Sequence, residues 1–454
     1  MNVAVLGGGV TGLTAAWRLS EAGHSVRVLE SGQRLGGSVR TDTVDGWMVE
    51  AGPNSLRESS PEVGALLGAI GLGAERIESA PASGKRYIAW RGDLAELPSP
   101  TSPHRLLSTP LFSARTKWRF AREIARGPRV RPDDISLGGF MRDHFGDEVV
   151  ERAVQPFISG IYAGDPERLS ARHAFPWAWE AEGTTGSLVR AGASNARRRR
   201  ALGLPASPAI ISFRRGMQAL PDALAGRLAP GSVALNSDVR SIRPGSGARW
   251  RVGWAESGGE RSAEFDCVVT ALPAGSLARL EIGPDGACPL SGLGAIEYPP
   301  VASVFLGFRR DQVQHPLDGF GALVPAVEKL SILGIVFSSS LFPGRTPADH
   351  VALTVLAGGA LQPGIAMLPE GELVERACSD LRLLVGAHGR PAFVRHTLWP
   401  RAIPQYNLGH GRHLEAMAEC ERRHPGLFIG GNVRDGISLP DCLLSGVSLA
   451  NRVS

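Results

Sequence analysis

Three glycines and an acid carry the first recognisable chemistry. In "NVAVLGGGVTGLTAAWRLSEAGHSVRVLE", Gly7, Gly9 and Gly12 form GxGxxG, and Glu30 follows 18 residues after Gly12. Set between a strand and a helix, such a turn aims backbone amides at a pyrophosphate. Gly7 makes the tight turn, Gly9 admits the phosphates and Gly12 lets helix pack on strand. Gly8, Val10 and Thr11 complete the loop, and the helix N-terminus attracts negative charge. Glu30 can accept from ribose hydroxyls. A merely structural glycine turn would not call for that acid, so dinucleotide binding is expected.

The next residues favour FAD over NAD. "ESGQRLGGS" places Ser31, Arg34, Gly36, Gly37 and Ser38 directly after the acid. A second glycine turn beside an arginine offers further backbone donors and a cation, an extension NAD would not need. FAD is long, so a second, distant element must hold its flavin. "GLFIGGNVRDGISLPDC" near the end suits that role: a strand ends at Gly430–Gly431, the loop crosses Asn432 and Gly436, and a helix opens near Pro440. The helix N–H groups and positive dipole end would face the flavin pyrimidine edge.

With these motifs the chain resembles the flavin-containing amine oxidase superfamily and, within it, the oxygen-dependent protoporphyrinogen oxidases. The likeness runs nearly end to end, through "ESGQRLGGSVRT", "EAGPNSL", "YIAWRGDLAELPSP", "PFISGIYAGDPERLS", "WPRAIPQYNLGH" and "GNVRDGISLPDC". It implies a p-hydroxybenzoate hydroxylase-type FAD fold and oxidation of a porphyrinogen with oxygen as acceptor. It maps FAD contacts to Gly8 through Gly12, Glu30, Arg34, Gly37 and Ser38, then to Gly52, Pro53, Asn54 and Ser55. Val239 would meet adenine, and Trp399 with Gly436, Ile437, Ser438 and Leu439 would meet the flavin end. Arg434 and Asp435 stand where many relatives carry other residues.

Oxidation of such a substrate needs positioning and exclusion of water more than a charged base. Asn54 could orient the substrate, or simply occupy a turn after Pro53. Gly160 could present its backbone to the macrocycle, or end a helix. A substrate with propionates needs a cation, and Arg91 is the candidate because a guanidinium grips a carboxylate through two bonds. In some relatives the substrate arginine aligns one position earlier, at Trp90. Leu323 and Leu333 could wall the site or belong to the core. His173, His396 and His410 lack metal spacing, no GxSxG elbow appears, and no metal is expected.

The elements that must position these residues read as an α/β protein: a Rossmann-like FAD-binding domain, a mixed-sheet substrate domain and a helical domain that associates with membrane. The FAD domain is expected to be discontinuous, from 1–76, 217–285 and 400–454. Residues 77–97, 201–216 and 286–399 would form the substrate domain, and 98–200 the helical one. "MQALPDALAGRL" reads as a helix, "SVALN", "FDCVVTALP" and the alternating "RWRVGWAE" as strands. The basic, aromatic stretch 110–127 reads as a helix that could lie on an anionic membrane or pack on a core. The polar stretch 195–209 reads as an exposed connector, and Arg197–Arg200 as a solvated surface or a contact for anionic lipid or phosphate.

Composition bounds the rest. The 454 residues suffice for two or three domains, 43% are hydrophobic, and the net charge is +5. Three lysines against many arginines suggest no nucleic-acid partner, and no such motif is present. Five cysteines without a CxxC pair read as reduced, mostly buried thiols. No apolar run reaches the ~20 residues of a bilayer span. The chain enters a strand at Asn2, so no targeting segment is expected. The expected setting is the cytoplasm, with peripheral contact at the inner face of the cell membrane. The expected partners are a porphyrinogen, molecular oxygen and a second copy of the chain in a homodimer.

Overall fold

The structure is a computed structural model, and it describes residues 1–98, 106, 108–205, 207–247, 249–256 and 258–453. A five-stranded parallel sheet anchors the N-terminal motif. Its strands run Val233–Ala234, Ser25–Leu29, Asn2–Leu6, Cys267–Thr270 and Leu427–Ile429 in spatial order. Neighbours come from distant parts of the chain because parallel strands need crossovers. Asn2–Leu6 is central, and its continuous apolar run follows from burial on both faces. Val3 and Val5 meet Ala15, Leu19 and Leu449 of the helices Val10–Glu21 and Leu439–Val453. Ala4 and Leu6 meet Trp250, Val252 and Phe265 of a second, four-stranded sheet. The two helices touch closely because Gly446 has no side chain: a Cβ there would lie 2.6 Å from the Thr11 carbonyl oxygen.

This second sheet orders Gly259–Phe265, Trp250–Glu256, Asp238–Pro244 and Glu281–Ile282; the first three are antiparallel and the short last strand pairs parallel. "RWRVGWAE" alternates as read, with Trp250, Val252 and Trp254 buried. "SVALN" contributes a strand of only two residues, Val233–Ala234. A third, seven-stranded sheet orders Phe393–Trp399, Val301–Arg309, His350–Gly358, Ile332–Val336, Gly319–Leu323, Lys85–Trp90 and Asp93–Glu96. One face buries Val304, Leu306, Leu353 and Val355 against Leu373, Ala377 and Leu381 of the helix Glu370–Val385. On the other face Ile88 meets the helical region and Phe305 meets Trp47. The strand of segment 201–216, Ile210–Phe213, does not join this sheet. It lies between Leu56–Arg57 and Arg76–Glu78 and packs toward Leu13 and Trp17.

Helices Ala114–Ile124, Leu137–Phe145, Gln155–Tyr162, Pro176–Thr184 and Leu188–Ala201 gather around Phe140, Phe145 and Ile158. Ser113, Ser136 and Ser187 cap three of them, each hydroxyl accepting from a first-turn amide. Two expectations shift here. Leu111 and Phe112 are buried ahead of the helix Ala114–Ile124, whose Trp118 and Ile124 are exposed. The stretch read as a connector from 195 is helical through Ala201, since alanine and arginine favour helix; the link follows, with Ala206 outside the described residues. Of the region 98–200, residues 99–105 and 107 also lie outside them, as does the end of "YIAWRGDLAELPSP". Among the described residues no helix is long and apolar enough to cross a membrane. All five cysteines are free thiols, but only Cys420 is buried; the other four are half-buried.

Candidate functional site

The first glycine turn closes as its spacing demands. Gly7 adopts φ +102°, and its amide donates to Leu29 O at 2.9 Å. A Cβ on Gly12 would lie 1.9 Å from Gly7 O, so only glycine lets the helix start there. Gly9 differs: a Cβ there would meet nothing within 4 Å, and as N-cap it offers no side chain to the first-turn amides of Val10, Thr11 and their neighbours. Glu30 accepts from Gly8 N and Gly32 N, both at 2.7 Å. Ser31 Oγ donates to the same carboxylate at 3.4 Å.

The second turn is fastened to the first. Gly36 N donates to Gly8 O at 2.8 Å. Arg34 spends its guanidinium on the carbonyls of Leu35, Gly37 and Val39, at 3.2, 2.6 and 2.8 Å. It therefore shapes the turn that holds Gly37 and Ser38; burial, then Arg40, lower its pKa. A Cβ on Gly52 would lie 1.9 Å from Ser38 O, which brings Gly52, Pro53, Asn54 and Ser55 against that turn. Ser237 N donates to Glu30 O at 2.8 Å and Asn236 N to Gly32 O at 3.0 Å. These bonds set Val239, paired with Trp254, beyond the acid on the adjoining strand.

At the other end Gly431, at φ +99°, donates its amide to Ser445 Oγ at 3.0 Å and Asp435 Oδ2 at 3.1 Å. Arg434 turns back to Glu421 at 3.0 Å. The two unusual residues of this loop thus act as fasteners and leave the glycines in place. Ser438 and Asp441 cap the final helix, the Ser438 hydroxyl donating to Asp441 Oδ2 at 2.6 Å; Ile437 and Leu439 flank the cap half-buried. Trp399 Nε1 donates to Ala51 O at 2.7 Å, tying the last strand of the large sheet to the Gly52 turn. Asn54 Nδ2 donates to Gly52 O at 3.3 Å, and the residue lines a small cleft with Glu50, Phe305, Ser338 and Arg345.

Tyr406 is a member of this loop system that motif reasoning did not single out. Its hydroxyl donates to Asn432 O at 2.6 Å and accepts from Gly436 N at 3.0 Å, bridging the loop. Its ring stacks on His410, centroids 4.1 Å apart and planes 17° from parallel. His173 and His413 each lie 5.8 Å from His410, so histidines scattered in sequence converge. Burial, then His173 and His413, lower the His410 pKa to about 3, so its ring is neutral. His396 stands apart, facing Glu370 at 3.9 Å. "IPQYNLGH" carried the signal, but nothing in it told which loop its tyrosine would meet. Among the described residues no group of side chains could hold a metal ion.

An apolar cavity adjoins this system. Leu97, Met141, Val154, Phe157, Phe175 and Leu323 are among its lining residues. The helix Gln155–Tyr162 lines it and then reaches the segment before Tyr406, where Gln405 Nε2 donates to Tyr162 O at 2.8 Å. Gly160 lies within that helix; Ala163, at φ +53°, is the residue that ends it. A Cβ on Gly160 would sit 2.4 Å from Leu323 Cδ2 and 3.7 Å from Leu333 O. Gly160 therefore lets the helix approach the sheet, and Leu323 is both its neighbour and a cavity wall. Leu333 is buried. Arg91 is exposed at the tip of the hairpin Lys85–Trp90/Asp93–Glu96, at φ +56°, with its guanidinium 5.3 Å from the Trp90 ring centroid.

The residues present fit a long dinucleotide. The open Gly9 cradle, the uncapped helix, the seated Glu30 and a second glycine loop are joined through one sheet. The family model "Flavin containing amine oxidoreductase" matches residues 10–454. The chain belongs to this family. It is an oxidoreductase, and its cofactor is FAD. It is 32% identical to protoporphyrinogen oxidase 2, chloroplastic/mitochondrial, of Arabidopsis thaliana, covering 100% of this chain and 93% of that one. It is 28% identical to coproporphyrinogen III oxidase of Bacillus subtilis, over 98% and 96% of the two chains. A crystal structure from an Exiguobacterium species, assigned as a protoporphyrinogen oxidase, superposes with a TM-score of 0.82 at 25% identity, covering 100% of this chain and 98% of that one. The fold is the mixed α/β fold of the flavin amine oxidases.

Proposed function

We propose that this protein oxidises protoporphyrinogen IX to protoporphyrin IX in tetrapyrrole biosynthesis, passing six electrons to oxygen and forming hydrogen peroxide. The observation that carries the reading is an apolar cavity whose lining holds no charged side chain, with one helix running from its wall to Gln405, next to the Tyr406 that bridges the last glycine loop. Full-length likeness to protoporphyrinogen oxidases supports it. Bound FAD would supply the two-electron acceptor, used three times per macrocycle. The chain supplies the rest. The amides of Gly9 to Gly12 hold phosphate and Glu30 the ribose. Gly52 to Ser55, Trp399 and the loop from Gly431 to Leu439 hold the flavin end. Leu323 and its neighbours exclude water and seat the macrocycle against the cofactor; Gly160 lets its helix pack on Leu323, and Asn54, in the cleft beside Glu50 and Arg345, orients the substrate. No base is required at the carbon that loses hydrogen.

In this reading 1–76, 217–285 and 400–454 form the FAD domain, and the large sheet with Glu370–Val385 forms the substrate domain. Peripheral membrane contact by the helical region is supported by exposed Trp118, Ile124, Phe157, Ile161 and Trp177. Coproporphyrinogen III is the second substrate to test, favoured by the Bacillus relative. The test is anaerobic mixing of the yellow protein with each porphyrinogen. Rapid bleaching of flavin absorbance, then a porphyrin Soret band on admitting air, is expected, and the rates rank the two. A flavin that stays oxidised with both would refute the reading.

A further inference from the structure

One guanidinium holds both legs of the turn that carries Asn54. Glu50 ends the strand Trp47–Glu50 two residues before Gly52, and Leu56 opens the strand Leu56–Arg57 directly after Ser55. Arg345, from the loop ahead of the strand His350–Gly358, serves both sides. Its Nη1 donates to Glu50 Oε1 at 3.2 Å, and its Nη2 to Ser212 Oγ at 2.6 Å. Ser212 follows Ile211, the ladder partner of Leu56. The Arg345 carbonyl also accepts from Met48 N at 3.0 Å. Glu50 is held from two further directions: Thr41 Oγ1 donates to Oε2 at 2.6 Å, and Met217 N to Oε1 at 3.0 Å. Glu50 and Arg345 are only 5% and 3% exposed, and Asn54 lines the same small cleft. Burial raises the Glu50 pKa against the pull of Arg345, and lowers that of Arg345 against the pull of Glu50. Leaving either charge alone is therefore unfavourable, and apolar side chains of like volume would join the two surfaces about as well. What the pair adds is direction: bonds of fixed length from one planar fork to two strands.

We infer that Arg345, clamped by Glu50, is a positioning residue: it sets the turn Gly52–Ser55 against the flavin and governs flavin reduction more than FAD affinity. The inference rests on the reading above, in which this turn meets the flavin end and Asn54 orients the substrate. In that reading FAD affinity comes from the Gly9–Gly12 amides and Glu30, on other elements. A second tie, from Trp399 Nε1 to Ala51 O, holds the start of the turn. Arg345 adds the link between start and end, through Glu50 on one side and Ser212 on the other. Without that link Asn54 is free to shift, and hydride transfer depends steeply on the placement of the reacting groups.

The test uses FAD-loaded protein. Arg345→Met leaves Glu50 buried and unpaired. Glu50→Gln/Arg345→Met removes both charges and keeps an acceptor for Met217 N. Arg345→Lys keeps the charge but cannot reach Glu50 and Ser212 together. The measurements are Tm, FAD affinity by flavin fluorescence, visible circular dichroism of the bound flavin, and anaerobic bleaching by protoporphyrinogen IX. Arg345→Met should lower Tm and the double variant should recover it, since breaking a buried pair destabilises more than replacing it. All these variants should hold FAD within about two-fold of wild type, show altered flavin dichroism and bleach roughly ten- to a hundred-fold more slowly, the loss that small misplacement causes. A double variant that regains the bleaching rate along with Tm would assign the pair to stability alone and overturn the inference. Variants with wild-type dichroism and wild-type bleaching overturn it too, as does FAD affinity that falls in step with the rate. If Arg345→Met does not fold, Arg345→Lys and the double variant decide by the same measurements. A wild-type protein that no porphyrinogen bleaches overturns the proposed function, and the flavin dichroism of the loaded variants still decides the role of Arg345.

Discussion

Gly9 and Gly12 belong to one motif but answer to different constraints, and substitution by alanine separates them. At Gly12 the added Cβ would fall 1.9 Å from Gly7 O, where Cβ contacts under 3.0 Å essentially never occur. The helix must retreat by about an ångström from the strand end, and overpacking of this kind costs about 1–3 kcal/mol. At Gly9 the Cβ meets nothing within 4 Å and φ is −74°, a value alanine adopts freely. The apo fold should therefore keep its stability or gain up to about 1 kcal/mol, because alanine narrows the unfolded ensemble. On the proposed reading the methyl group instead enters the space that the FAD phosphates would occupy. At an FAD concentration near a hundred times the wild-type Kd, a hundred-fold weaker affinity would cut FAD-linked stabilisation from about 2.7 to about 0.4 kcal/mol. Thermal melts of apo and FAD-loaded protein, with an FAD titration by flavin fluorescence, read both effects. Gly12→Ala should lower the apo Tm. Gly9→Ala should leave it in place and collapse the gap between apo and loaded forms. Gly9→Ala that binds FAD like wild type, or that unfolds like Gly12→Ala, would refute the reasoning.

Removing the Tyr406 hydroxyl in Tyr406→Phe leaves Asn432 O and Gly436 N without their bridge; apo stability should drop by about 1–3 kcal/mol, and bound flavin should show an altered visible spectrum and faster release. Gly160→Ala should push Leu323 into the cavity, since the clash is with the movable end of its side chain; KM should rise, and adding Leu323→Ala should restore it. Glu123 titrates below the usual glutamate range: burial alone would raise it, but bonds from His144, Ser187 and the amides of Leu188 and Val189 outweigh that. Its contribution is complete above the ordinary value of 4.5 and is lost as pH falls through its depressed folded value. The Tm of wild type should therefore drop in that acid window, and Glu123→Gln should melt lower near neutral pH with a shallower acid slope.

What the sequence determined by itself was local. The spacing of Gly7, Gly9, Gly12 and Glu30 dictates a turn closed by short-range bonds, so its geometry follows from backbone sterics alone. The same holds for the Ser438–Asp441 cap and the buried alternation of "RWRVGWAE". What only the tertiary structure decided depends on chain crossovers. Tyr406 meets Gly436 because parallel strands bring distant segments to one edge, and no pattern within "IPQYNLGH" encodes that meeting. Gly160 read as a substrate neighbour or a helix stop; the helix in fact ends at Ala163, and Leu323, from another strand, fills the space over Gly160. Arg34 read as a cation for the cofactor, yet three nearby carbonyls claim its guanidinium. The arginine run read as a uniform exposed connector. Helix formation through Ala201 then turned Arg199 alone inward, toward Pro205 and Ser59. Which arginine of the run turns inward is fixed by the surface its helix ends against and not by order along the chain.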